Sequence, residues 1–389
     1  MKFLYSFFFV LISATAFSQA DTIRLMFAGD IMAHGPQIKA AHNPDTDTYD
    51  FSDSFIYLKK IFRDADFVIG NLETTLGTRP YSGYPRFSAP PALAVALRDA
   101  GFTHLVTANN HSCDKGKHGI VRTVRILDSL QIGHTGTYAS LPEKKENPFI
   151  ILEKKGFKII ILNYTYGTNG LPVPDGTHVN IIDTMQMKKD IRLARSLHPG
   201  EIIVFLHWGN QYQAFPSAYQ RQIEKFLHRQ GIRIIIGSHP HVIQPVRHAN
   251  GNLTVYSLGN FISNQRTFPR DGSFIFRLDL ITENGRTRTL RHGYIPFWVY
   301  KYNENGKTYF EILPTDEFII DRAYFTRKAD FDKFLRFHRY INRFMKRYAR
   351  KSERILDYIP DYQTKKLSPV LPGLPSFPTI RVFRVISKP

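Results

Sequence analysis

Short apolar runs alternate with helical patterns along most of the chain. "TIRLMFAGD" (22–30) reads as a strand ending in Gly-Asp. "DSFIYLKKIFRDA" (53–65) has apolar residues at helical spacing, and "DFVIGNLE" (66–73) is a buried strand. "PALAVALRDAG" (91–101) opens with Pro and closes with Gly, as short helices do. "THLVTANNH" (103–111) is another strand, and "GIVRTVRILDSLQIG" (119–133) is a helix with Ile120, Val124, Leu127 and Leu130 on one face. "FKIIILNYT" (157–165), "EIIVFLHWG" (201–209) and "IRIIIGSHPH" (232–241) follow as strands. The helical patterns "MQMKKDIRLARSLH" (185–198) and "AYQRQIEKFLHRQG" (218–231) lie between them. Such alternation predicts an α/β fold whose parallel sheet is covered by helices.

Beyond residue 250 the style shifts to shorter strands with polar turns: "NLTVYSLGNFI", "GSFIFRLDLI", "YFEILPTDEFII". This reads as an antiparallel continuation and a candidate second sheet. Residues 329–358 read as an amphipathic helix, with Phe331, Phe334, Leu335, Ile341, Phe344, Met345 and Tyr348 as its apolar stripe. The stripe is expected to pack on the main domain; contact with a membrane surface is the alternative. The tail "SPVLPGLPSFPTIRVF" is Pro-rich and expected to be extended.

With 389 residues, 43% of them hydrophobic, the chain can bury a sizeable core. Its first residues have the form of a secretory signal. Lys2 supplies the positive region, Phe3 to Ile12 an apolar stretch too short to span a bilayer, and Ala16-Phe17-Ser18 a small-x-small cleavage pattern. The expected organisation is therefore a signal peptide over 1–18, a main domain over 22–320, a basic helical extension over 321–360 and a Pro-rich tail over 361–389. The mature protein is expected outside the cytoplasm, in the periplasm or beyond. The lone Cys113 excludes an internal disulfide and reads as a small buried residue. A net charge of +19, concentrated towards "TRKADFDKFLRFHRYINRFMKRYARKSER" (326–354), favours anions: an acidic polymer, anionic lipid or nucleic acid. No aromatic-rich nucleic-acid motif accompanies it, which argues against the last.

The polar residues cluster where strands end, and in α/β sheets ligands bind outside the carboxyl ends of the strands. Asp30 follows the first strand, Asn71 and Glu73 close the second, and Asn109, Asn110 and His111 the third. His207 follows "IIVFL"; His239 and His241, separated by Pro240, follow "IRIIIGS". Each has a plain reading when taken alone. Asn109-Asn110 could be a turn pair, and Glu73 a cap or a surface charge. Together they predict one rim. Carboxylate, carboxamide and imidazole in combination suit divalent Mn, Fe or Zn, as one or two ions. Paired ions can clamp the attacking and leaving oxygens of a displacement, and a nearby His that is not a ligand can protonate the leaving group. No Gly-x-Ser-x-Gly elbow, Walker A loop or Gly-x-Gly-x-x-Gly fingerprint is present.

The stretches "FAGDIM" (27–32), "NLET" (71–74), "LVTANNHSCDKGKHGIVRTVRIL" (105–127), "FLHWGNQY" (205–212), "IIIGSHPHVIQPV" (234–246) and "YSLGNFI" (256–262) resemble the CapA family of poly-γ-glutamate capsule synthesis proteins. That family is similar in turn to calcineurin-type metallophosphoesterases. The resemblance implies two mixed sheets packed face to face with helices outside, an αββα sandwich. It implies Asp30 and His241 at a first metal, Glu73 as a bridge, Asn110, His207 and His239 at a second, and His111 as general acid. Where the phosphoesterases carry a His two residues after the first Asp, this chain has Met32; His34 is near but needs a shift of strand into loop to serve. The implied function is synthesis, export or processing of an anionic surface polymer. It is either a metal-dependent hydrolase or transferase reaction or the non-enzymatic binding of that polymer beside a vestigial metal site. Oligomeric state is left open.

Overall fold

Two mixed β-sheets face each other in a computed structural model that describes residues 21–283 and 286–358. The expected signal peptide (1–18) and Pro-rich tail (361–389) lie outside the described residues. In the first sheet Thr22–Ile31, Phe67–Leu72, His104–Val106 and Gly133–Thr135 run parallel. Gly272–Glu283, Arg286–Glu304 and Lys307–Pro314 extend it as an antiparallel meander beside Thr22–Ile31. The second sheet takes the order Val246–Ala249, Asn252–Val255, Ile234–Ser238, Glu201–His207, Phe157–Thr165, Ile150–Lys154, with its middle strands parallel. The late meander thus enlarges the first sheet, and the second is built from residues 150–255.

The strands are apolar on both faces, so successive residues enter different cores. Phe27 and Ile69 point inward to meet Ile159, Ile161, Phe205 and Ile236 of the opposite sheet, with the Phe27 and Phe205 rings 6.4 Å apart. Their neighbours Met26, Ala28 and Val68 face helix Ala92–Ala100 on the outside. On the other flank Ile160, Val204 and Ile235 pack under helices Thr184–Ser196 and Ala218–Arg229, through Met187, Ile191, Ile223 and Leu227. The αββα sandwich follows from that alternation.

Several boundaries differ from expectation. The predicted helix over 53–65 is two short turns, Ser52–Phe55 and Lys59–Phe62, which bury Phe55, Ile61 and Phe62 without a continuous helix. The strand expected over 103–111 stops at Val106. Ser112 Oγ donates to the Thr107 carbonyl at 2.7 Å and the Asn109 N–H donates to Ser112 Oγ at 2.9 Å, so side chains replace the ladder. The C-terminal helix runs Lys328–Tyr348 and does not reach 358. Glu353–Arg354 instead pair parallel with Gly293 and Tyr294, which buries Ile355 and brings Asp357 within 2.8 Å of the buried Arg277. The stripe of this helix is committed to the fold: Phe331, Phe334, Leu335, Ile341, Phe344 and Met345 join the central core, with Tyr348 packed against it. Among the described residues no helix is long and apolar enough to cross a membrane. Cys113 packs with Ala108, Ile120 and Val179, and burial pushes its thiol up to about 11.

Candidate metal centre

Register brings the polar residues to one rim. Asp30 stands beside Asn71 on one side and Asn260 on the other; in the facing sheet His207 stands beside Thr165 and Ser238. The first strand needs Gly29 there, because a Cβ would drive into the Gly259 carbonyl. His239 and His241 flank Pro240 with φ of 97° and 58°, a left-handed backbone that non-glycine residues seldom adopt. This turn sends both imidazoles to the same centre.

Two donor sets result. Glu73, His207 and His239 offer atoms within 4.8 Å of one another, and so do Asp30, Glu73 and His241. Glu73 is common to both. Asn110 Oδ1 lies 2.6 Å from His207 Nε2, which is 3.1 Å from His239 Nδ1. His241 Nδ1 is 3.1 Å from Asp30 Oδ2. All of these side chains are buried.

The polar balance calls for a cation. Both Glu73 oxygens are buried without a hydrogen-bond partner, a rare condition for a carboxylate. Burial, then the neighbouring Asp30, pushes the Glu73 carboxyl well above the usual range. Burial and the neighbouring imidazoles hold His207 well below its ordinary value and His239 at about 3, so both rings stay neutral near pH 7. Neutral imidazoles around an unpartnered carboxylate are a donor set for a borderline divalent ion.

His111 borders this centre. Its Nδ1 is 2.8 Å from Asp114 Oδ2, and its ring meets Phe87 edge-on at 4.6 Å. Asp114 also accepts the Phe87 N–H at 2.7 Å, which ties the orienting carboxylate to the backbone. His34 does not join the donor sets: it caps helix Gly35–Ala41, and its Nδ1 accepts the Asn264 N–H at 3.3 Å. Met32 is 2% exposed and gives its N–H to the Ile262 carbonyl, and its side chain offers a thioether where a borderline divalent ion takes imidazole or carboxylate.

Against known proteins, residues 24–265 match the family described as "Bacterial capsule synthesis protein PGA_cap". The chain belongs to this family. Its span holds every donor above. A curated relative, "PGA biosynthesis protein CapA" of Bacillus subtilis (strain 168), is 28% identical over 314 residues, 76% of this chain and 72% of the relative. "Capsule biosynthesis protein CapA" of Bacillus anthracis is 27% identical over 256 residues, 63% of this chain and 61% of the relative. Among solved structures, the calcineurin-like phosphoesterase YfkN from Bacillus subtilis aligns with a TM-score of 0.43 at 13% identity, covering 84% of this chain and 99% of that one.

The PGA_cap chain also uses polar residues that sequence reasoning left without a role. Asn71 Nδ2 bridges Asp30 Oδ1 at 2.8 Å and His207 Nδ1 at 3.2 Å, and so links the sheets. Asn260 Oδ1 lies 3.0 Å from His241 Nδ1. Two exposed tyrosines wall the mouth: the Tyr166 ring is 4.6 Å from His239, and Tyr212 is 6.0 Å from His241. Asn71 stands two residues before Glu73, hence on the same strand face, which was the available signal. Asn260 had none beyond its place in "SLGNFI".

Proposed function

We propose that this capsule-synthesis-family protein is exported and catalyses metal-dependent hydrolysis or transfer on an anionic surface polymer of the poly-γ-glutamate kind. Asp30, Glu73 and His241 would hold one divalent ion, and Glu73, Asn110, His207 and His239 a second, drawn from Mn, Fe or Zn. The ions would supply positive charge for the reacting oxygens and a hydroxide source near neutral pH. The protein's own work is orientation and proton handling. Asn71 and Asn260 fix the carboxylate and imidazole planes from behind. His111 delivers a proton from Nε2 to the leaving group while Asp114 holds its Nδ1, so the ring keeps one tautomer. Buried walls keep bulk water from the donors. The reading rests above all on the two unpartnered oxygens of Glu73, set between donors from both sheets.

Elemental analysis of the purified mature protein tests it. Bound transition metal is expected in the wild type and its loss in His239→Ala and Asn110→Ala, together with chelator-sensitive turnover in a generic phosphodiester assay. Wild type that takes up no Mn, Fe or Zn would remove the enzymatic reading.

One observation favours a second reading, in which the protein binds or passes on the polymer without cleaving it. Met32 stands where the phosphoesterase pattern has a ligand, and His34 is engaged elsewhere. Stoichiometric metal without turnover on any phosphodiester or polymer substrate would select that reading.

A further inference from the structure

We propose that a linear polycarboxylate reaches the metal-site mouth along a basic track made by Tyr212, Arg270 and the outer face of the helix Lys328–Tyr348. The proposal rests on the anionic-polymer reading above and adds where the polymer lies.

The track begins at the mouth. The Tyr212 N–H donates to the Pro240 carbonyl at 2.7 Å, which fixes its half-exposed ring beside His241. The Arg270 guanidinium lies 4.2 Å from that ring's centre, and its carbonyl accepts from Asn260 Nδ2 at 2.9 Å. The same loop carries Phe268, which packs 5.2 Å from Tyr340 and lies 4.0 Å beneath the Arg336 guanidinium. Arg336 lies on an outer helix face that continues through the exposed Arg339, Arg343 and Lys346, about 15 Å further at the α-helical rise. Phe215, on the loop that also bears Tyr212, meets Phe344 and Tyr348 at 6.4 and 5.1 Å, so the helix is braced against the rim along its length.

The charge on this track exceeds its internal answer. Among the described residues none of Arg270, Arg336, Arg339, Arg343 and Lys346 makes an ion pair; the acidic Asp330 is engaged by Arg327 and Lys333, and the exposed Asp332, one turn before Arg336, is the one acid on that face of the helix. Outside the described residues the sequence offers a single acidic side chain, Asp361. Guanidinium planes held on aromatic faces keep their edge donors free for carboxylates. A chain of repeated carboxylates can engage them in series, each weak contact raising the effective concentration of the next. A membrane fits less well. The helix has already buried its apolar stripe in the protein, so it has only cations to present to lipid.

Fluorescence anisotropy with labelled long and short poly-γ-glutamate, beside phosphatidylglycerol vesicles, tests the track in metal-loaded protein. The wild type should bind the long polymer, with affinity that falls as salt is raised. Arg339→Glu/Arg343→Glu/Lys346→Glu should weaken long-polymer binding by about tenfold or more while leaving short-polymer binding and metal content near wild type. Arg270→Gln should weaken both lengths. A glutamine triple variant at the same helix positions guards against misfolding and should show the same trend at smaller size. Wild-type affinity in both triple variants would overturn the track alone. Vesicle binding that the polymer fails to displace would reassign the face to lipid. Metal-loaded wild type that binds neither length would end both the track and the polymer reading, while the metal centre stood.

Discussion

Glu73 is the residue on which the centre turns. Its carboxyl is buried without a hydrogen-bond partner and sits beside Asp30, so in its charged form it would oppose folding unless a cation were bound. Glu73→Gln should therefore raise the melting temperature of the chelated protein, by an effect on the order of 1 kcal/mol. It should also abolish the further rise that Mn or Zn gives the wild type. Thermal melts in chelator and in added metal read both effects; an equal metal-induced rise in the two proteins would refute the bridging role. At this scale the sequence was informative where chemistry and position agreed. Asp30, Glu73, Asn110, His207, His239 and His241 each follow an apolar run, and although each has a plain reading alone, their recurrence at the same place relative to the runs singles them out. Asn71 and Asn260 escaped because their roles depend on register with Asp30, and strand pairing leaves no mark on a single chain. Asp114 escaped because a carboxylate three residues after a His inside a turn looks like any loop acid.

Elements were legible where their apolar period was long. The strand over 157–165 and the helices near 185–198 and 218–231 stand close to where the pattern put them. Errors gathered where side chains or partners decide an ending. The C-terminal helix yields at Tyr348 because Ile355 and Asp357 gain more from the sheet and from Arg277 than another helical turn would offer. Its stripe is central to the fold: Phe334 is fully buried and meets Trp298 edge-on at 6.0 Å. Phe334→Ala should cost about 3–5 kcal/mol, as large-to-small changes of buried aromatic residues do. Urea denaturation should then show one transition, moved to lower denaturant. A two-step curve, with the helix released first, would mean that helix and sandwich are separate cooperative units.

At the scale of the whole molecule, stability should depend on pH through histidines remote from the metal centre. Burial brings His104, His292 and His338 down to about 4, and each also has a neighbouring basic residue: His134, then His248 and Lys351, then Arg339. In the unfolded chain these rings take up protons near their ordinary value of 6.5; in the folded chain they stay neutral to about 4. Their contribution is therefore fully present above pH 6.5 and is lost as pH falls from there towards 4. Near pH 5.5 each costs on the order of 1 kcal/mol. Urea midpoints measured in chelator between neutral and mildly acid pH should fall, and His338→Gln should flatten the decline; a midpoint insensitive to pH across that window would contradict it.

Asp30 and Glu73 come from one sheet, while His207, His239 and His241 come from the strand ends of the other. An ion held among them would act as a rivet through the seam of the sandwich. Starving the protein of metal would then do more than empty a site: the two halves would be free to breathe at that edge, and proteolytic turnover would become a gauge of the metal supply around it.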